Sequence, residues 1–140
     1  MFKTLFNLFR KTDKNSLETL QQRAEQGDAE AMYQLGRFYH IGEVVEADYD
    51  KAMTLYHRAN ALGYPLAANN IGALYDDMGE PEKSVEWFEQ GIRQDDKRAT
   101  INLGRFYLLG IGVGQDTFKG MQMLEKYDDD GFVLDRKSTR

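Results

Sequence analysis

The chain contains no cysteine, which removes disulfides, thiolate zinc sites, iron–sulfur clusters and a cysteine nucleophile at once. Only two of its 140 residues are proline. No mid-chain run of like charge is long enough to mark a disordered segment, so disorder of the whole chain is not expected. No apolar stretch approaches the roughly 18 residues that span a bilayer. Basic charge is also scarce: 18 Lys and Arg stand against 23 Asp and Glu, a net charge of −5. Nucleic-acid binding wants a basic face and is not expected here. What is present, 41% hydrophobic and 29% charged residues, matches an ordinary globular domain of a length that buries a real core. A soluble, cytoplasmic domain is the expectation.

Residues 1–14, MFKTLFNLFRKTDK, have too short an apolar stretch for a secretory leader, and no small-residue cleavage site follows. Phe2, Leu5, Phe6 and Phe9 recur at i, i+3, i+4 and i+7, the apolar face of a short helix. Lys3, Arg10, Lys11 and Lys14 surround that face. Two readings stay open: a helix capping the end of the core, or a basic amphipathic anchor at the inner face of a membrane, carried by residues 1–11.

An internal repeat is the strongest signal. Leu35, Gly36, Arg37, Phe38 and Tyr39 return 68 residues later as Leu103, Gly104, Arg105, Phe106 and Tyr107. Ala31, Asp48, Lys51, Met53 and Gly63 return at the same offset as Ala99, Asp116, Lys119, Met121 and Gly131. A middle copy carries Ala67, Ile71, Gly72, Leu74 and Tyr75, then Lys83, Ser84, Trp87 and Phe88, with a loop four residues shorter. Each copy reads as two helices. Ala31, Leu35 and Tyr39 form a buried stripe. Gly36 costs a helix about 1 kcal/mol relative to alanine, which suggests close approach of the second helix through Ala52 and Ala59. The same reasoning sets Gly72 against Ser84 and Gly91, and Gly104 against Gly120, with Tyr56, Phe88 and Leu124 filling the space between pairs. Gly42 and Gly110 end first helices, Gly63 and Gly131 end second ones, and Asp48 and Asp116 cap second helices. Residues 16–26 look like a lone second helix ahead of the first full pair.

The pattern A-x3-LG-x2-Y-x2-G, a glycine-rich loop with Val and Asp, then Lys-Ala and an aromatic pair, resembles the Sel-one-like repeat, a longer-looped cousin of the tetratricopeptide repeat. The resemblance covers roughly residues 24–131. It implies an all-α, right-handed α-solenoid of about three helix-turn-helix repeats, near 28–63, 64–95 and 96–131, with an N-terminal capping helix. The domain then runs over residues 15–131, between the basic segment 1–14 and a tail at 132–140. Glu43 and Val44 stand where glycine is usual, and Gly120 replaces the usual alanine, so fraying after Tyr127 is expected. Family members act as interaction scaffolds and adaptors, which the resemblance implies for this chain too.

First helices of such repeats line the concave wall. That places Tyr33, Arg37, His40 and Ile41 of copy one there, Asn69, Asn70, Asp76 and Asp77 of copy two, and Arg98, Ile101, Arg105, Leu108 and Leu109 of copy three. The repeated Arg37 and Arg105 suit a carboxylate with their fixed fork of donors, and Asn69 or Asn70 could hold a ligand backbone. A protein or peptide partner, acidic or a chain terminus, fits this groove. The competing reading pairs both arginines with Glu30, Asp76 or Asp77, as surface charges commonly do.

Catalysis lacks residues. His40 and His57, the two histidines, have no metal-ligand spacing, and the acidic runs are contiguous instead of convergent. Gly110, Gly112 and Gly114 follow a helix and lack the rest of a phosphate-binding motif. No enzyme, cofactor or metal is expected. An interaction module is the leading expectation; a membrane-surface regulator and a toxin-neutralising immunity protein are the alternatives.

Overall fold

The computed structural model describes residues 16–127. Among them are seven helices and no strand: α1 (Leu17–Glu25), α2 (Ala29–Ile41), α3 (Tyr49–Ala61), α4 (Ala67–Asp77), α5 (Pro81–Arg93), α6 (Lys97–Leu109) and α7 (Thr117–Glu125). This is the all-α helical-repeat class that the sequence leads one to expect. Phe2, Leu5, Phe6 and Phe9, Gly131 and the tail at 132–140 lie outside the described residues. The helices belong to two compact units that divide at residue 67. The first holds α1 and the α2–α3 hairpin, the second holds α4 to α7.

Helix ends follow local chemistry. Asp48 and Asp116 accept hydrogen bonds from the backbone N–H groups of Lys51 and Lys119, at 3.1 and 3.0 Å, satisfying donors that the first turn leaves orphaned. Asp28 and Asp96, also 68 residues apart, cap α2 and α6 in the same way. Gly42 and Gly110 stop those two helices in the left-handed region, at φ 76° and 69°, where a side chain would be strained. The chain then turns back. Asp48 N–H donates to Tyr39 O at 2.9 Å and Asp116 N–H to Tyr107 O at 2.8 Å, closing both long hairpins alike.

The glycines inside the helices make room for something other than the small residues expected. A Cβ on Gly36 would sit 2.7 Å from the Tyr56 ring, and one on Gly72 would sit 2.6 Å from the Phe88 ring. Tyr56 and Phe88 therefore lie over the glycines of their own hairpins. The space is ring-shaped because each ring stands four residues beyond Ala52 or Ser84, on the same helix face. Ser84 Oγ does meet Gly72, donating to its carbonyl at 2.7 Å in a buried position. In the last hairpin the backbones themselves approach: a Cβ on Gly120 would lie 2.7 Å from Gly104 O. At Gly91 the nearest neighbours are instead Ala99 of α6 and Asn69 of α4.

In the first unit Leu20, Ala31, Leu35, Ala52, Tyr56 and Ala59 are buried. In the second, Phe88 and Phe106 meet edge to face at 5.2 Å, within a core that includes Ala99 and Leu103. Each repeat also seats a lysine over a tyrosine ring: Lys51 over Tyr39, Lys83 over Tyr75 and Lys119 over Tyr107, at 5.2, 5.6 and 4.3 Å. The ammonium–ring attraction thus tethers the start of each second helix to the latter half of its first.

Candidate functional site

The first helices carry the candidate residues, and their neighbours divide those residues into buried and available groups. In the first unit Tyr33 is buried at 3% exposure, with ring centroids 6.0 Å from Tyr56 and 4.9 Å from Tyr64. It therefore does not line an open wall as expected: it packs against Tyr56 of the second helix and against Tyr64. His40 is half-buried, its Nδ1 hydrogen-bonded to Tyr56 Oη at 3.1 Å and its ring edge-on to Tyr49 and Tyr56. That contact ties His40 to the core ring above Gly36. Burial pushes the His57 imidazole below its ordinary range.

Arg37 differs. It is exposed, donates to Gln34 Oε1 at 3.3 Å within its own helix, and has its guanidinium 6.0 Å from the Tyr33 ring. Among the described residues no carboxylate pairs with it. Beside it lies a pocket of about 200 Å³ lined by Gln34, Arg37, Phe38, Ile41, Glu43 and Val44. Ile41 and Val44 are roughly half exposed, at 53% and 51%. The pocket thus sets one cation at the edge of an apolar recess. The expected Glu30 contact is absent because Arg23 takes that carboxylate, at 3.7 Å, and Asp28 at 2.8 Å. The guanidinium hydrogen bond from Arg23 holds the Asp28 carboxyl below the usual carboxylate range.

In the second unit the expected residues are mostly committed to each other. Arg105 pairs with Asp76 at 3.8 Å. Arg98 grips Asp96, the cap of its own helix, through Nε at 3.1 Å and Nη2 at 2.8 Å. Asn69 and Asn70 are buried at 5% and 8% exposure, and Asn69 Oδ1 accepts from Asn102 Nδ2 at 2.9 Å. This amide pair joins α4 to α6 and so stands in the packing, where a ligand-facing role had been expected. Leu108 is half-buried, while Leu109, the counterpart of Ile41, is 59% exposed. Asn102, Phe38 and Val44 were not among the candidate site residues read from the sequence. The exposed pair at Ile41 and Leu109 was legible as a repeat position. No group of three or more His, Asp and Glu converges as a metal site among the described residues, and none of their helices is long and apolar enough to cross a membrane.

Comparison with known proteins places this architecture. The Sel1 repeat family matches residues 29–64, 65–96 and 97–126. Chitin synthase regulatory factor 4 of Schizosaccharomyces pombe is 32% identical over 122 residues, covering 83% of this chain and 19% of that protein. HRD3B of Arabidopsis thaliana, an ERAD-associated E3 ubiquitin-protein ligase component, is 33% identical over 107 residues, 74% of this chain and 17% of its own. The chain therefore spans about a fifth of the length of these curated relatives. Among solved structures, c5321, a protective antigen of uropathogenic Escherichia coli with an SLR fold, superposes with a TM-score of 0.70 at 33% identity, over 79% of this chain and 25% of that one. Sel1 repeats are non-catalytic helical modules of adaptor and regulatory proteins. With three matched repeats and an all-α helical-repeat fold, this chain belongs to the Sel1 repeat family.

Proposed function

We propose that the chain is a protein-interaction module whose first unit takes the C-terminal end of a partner chain at Arg37. The observation that carries this reading is the exposed guanidinium of Arg37, without a carboxylate among the described residues, beside the recess of Phe38, Ile41 and Val44. A terminal carboxylate supplies the planar acceptor that guanidinium favours, and the last side chain supplies apolar surface for the recess. Glu43 on the same rim argues against a strongly acidic segment, which it would repel. A single terminal charge beside an apolar residue suits both features. Arg105 contributes less, because Asp76 already faces it.

The test is a peptide array with free C-terminal carboxylates, scored against the same peptides amidated. Binding is expected to favour free termini ending in an apolar residue, and to be lost in Arg37→Ala but kept in Arg105→Ala. Circular dichroism should be unchanged in both variants. Equal binding of amidated peptides, or undiminished binding by Arg37→Ala, overturns the site.

A further inference from the structure

The first and third repeats turn the same polar pair toward different surroundings. Gln34 and Arg37 of α2 stand 68 residues before Asn102 and Arg105 of α6, an amide and a guanidinium three residues apart on one helix face. In the second unit α4 satisfies that pair. Asn102 Nδ2 donates to Asn69 Oδ1 at 2.9 Å, and Arg105 meets the Asp76 carboxylate at 3.8 Å. Asn69 and Asp76 lie two turns apart on one face of α4, so α4 and α6 run in the same direction. In the first unit no described helix precedes α1 as α4 precedes α5.

The face at Gln34 and Arg37 is open. Phe106, beside Arg105, is wholly buried, while its counterpart Phe38 is half-buried and lines the recess with the exposed Ile41 and Val44. Gln34 Oε1 accepts from Arg37, so Nε2 is the group with which this amide meets an incoming carbonyl, the part that Nδ2 plays in Asn102. The face thus asks for two acceptors, a carboxylate at Arg37 and a carbonyl at Gln34. Spacing decides the shape of what supplies them. Gln34 and Arg37 are separated by a rise of about 4.5 Å, which an extended chain covers in one or two residues at about 3.3 Å each. A helix reaches the same pair differently: as α4 does, it sets an amide two turns ahead of its carboxylate.

We propose that the C-terminal end of the partner lies along α2 as a helix parallel to it, its terminal carboxylate on Arg37 and a side-chain amide two turns earlier on Gln34. This rests on the reading that Arg37 takes a chain terminus. It adds the conformation of the partner and makes Gln34 the residue that selects it.

The probe is a fluorescein-labelled, alanine-rich peptide of about 14 residues, near the length at which a helix forms in water, ending in leucine with a free carboxylate. One asparagine is moved along it, and affinity for the full chain is read by anisotropy. An advantage over the all-alanine peptide of about two- to tenfold, the worth of one hydrogen bond, is expected with asparagine seven residues before the end, the spacing of Asn69 and Asp76. That advantage should vanish in Gln34→Ala, whose ellipticity should match the wild type, and a central proline should weaken binding about tenfold or more. A best position only one or two residues before the end, the reach of about 4.5 Å for an extended chain, overturns the helix. A preference for the free carboxylate with no asparagine advantage at any position overturns this inference and leaves Arg37 in its role. Equal binding of the amidated peptide removes the reading beneath it, and this inference with it. A dimer of the full chain in sedimentation equilibrium that Arg37→Ala dissociates assigns the face to a second copy and overturns it too.

Discussion

Adding one methyl group to Gly72 should reverse its effect depending on what lies opposite. In the native chain a Cβ there would be 2.6 Å from two Phe88 ring carbons and 3.2 Å from a third, against ordinary carbon contacts of about 3.5–4.0 Å. Neither side has slack. The Phe88 ring is 1% exposed and backed at 5.2 Å by the fully buried Phe106. Ser84 Oγ holds the Gly72 carbonyl from the same helix. Overpacking of this kind costs about 1–3 kcal/mol, while relieving a helix of glycine returns about 1 kcal/mol. Since the overlap is severe, Gly72→Ala should lose about 1–2 kcal/mol net. Phe88→Val removes the clashing atoms at its own cost, somewhat below the roughly 3–5 kcal/mol of a Phe→Ala truncation. In that background Gly72→Ala should become neutral or stabilising by up to about 1 kcal/mol. The coupling across the cycle is then about 1–3 kcal/mol, within the range of contacting pairs. Urea titrations followed by ellipticity at 222 nm and by the fluorescence of Trp87, one residue from the ring, measure all four species. Coupling below about 0.5 kcal/mol, or destabilisation of equal size in both backgrounds, would refute the claim that the glycine exists for the ring.

Asp95 holds a left-handed backbone at φ 61° where the matching residue of the first turn is Gly27 at φ 90°. Asp95→Gly should therefore raise stability by about 0.5–1 kcal/mol, strain relief outweighing the added freedom of the unfolded chain; a lowered melting temperature contradicts this. Asp28 is held below the ordinary carboxylate range by Arg23, so its contribution is present above that range and fades as pH falls through its folded value. Asp28→Asn should accordingly be less stable than wild type at pH 7, with the gap closing in acid; a gap independent of pH in chemical denaturation argues against the ion pair. Ser84→Ala leaves the buried Gly72 carbonyl without its partner and should cost about 1–3 kcal/mol, whereas Lys51→Met, which removes an exposed cation over Tyr39, should cost about 1 kcal/mol at most. Thermal melts of the two variants side by side check that order.

The sequence by itself determined the repeats, and with them most of the helices. Period, cap and stop are local properties: Asp48 and Asp116 cap, and Gly42 and Gly110 terminate, through hydrogen bonds and dihedral angles within a few residues. The 68-residue echo needed no structure either, because repeats must bury equivalent faces. Tertiary structure alone decided which side chains remain available. Arg37 and Arg105 are the same residue at the same repeat position, yet one meets Gln34 and the other meets Asp76. That difference lies in a residue on another helix, which the periodicity of one helix does not encode. Tyr33, Asn69 and Asn70 likewise sit on helix faces whose polarity suggests solvent, and their burial depends on neighbours brought from elsewhere in the chain, as Asn102 is brought to Asn69. Even the meaning of Gly36 and Gly72 rested there. A missing side chain announces that something comes close, and only the packed hairpin shows that it is an aromatic ring.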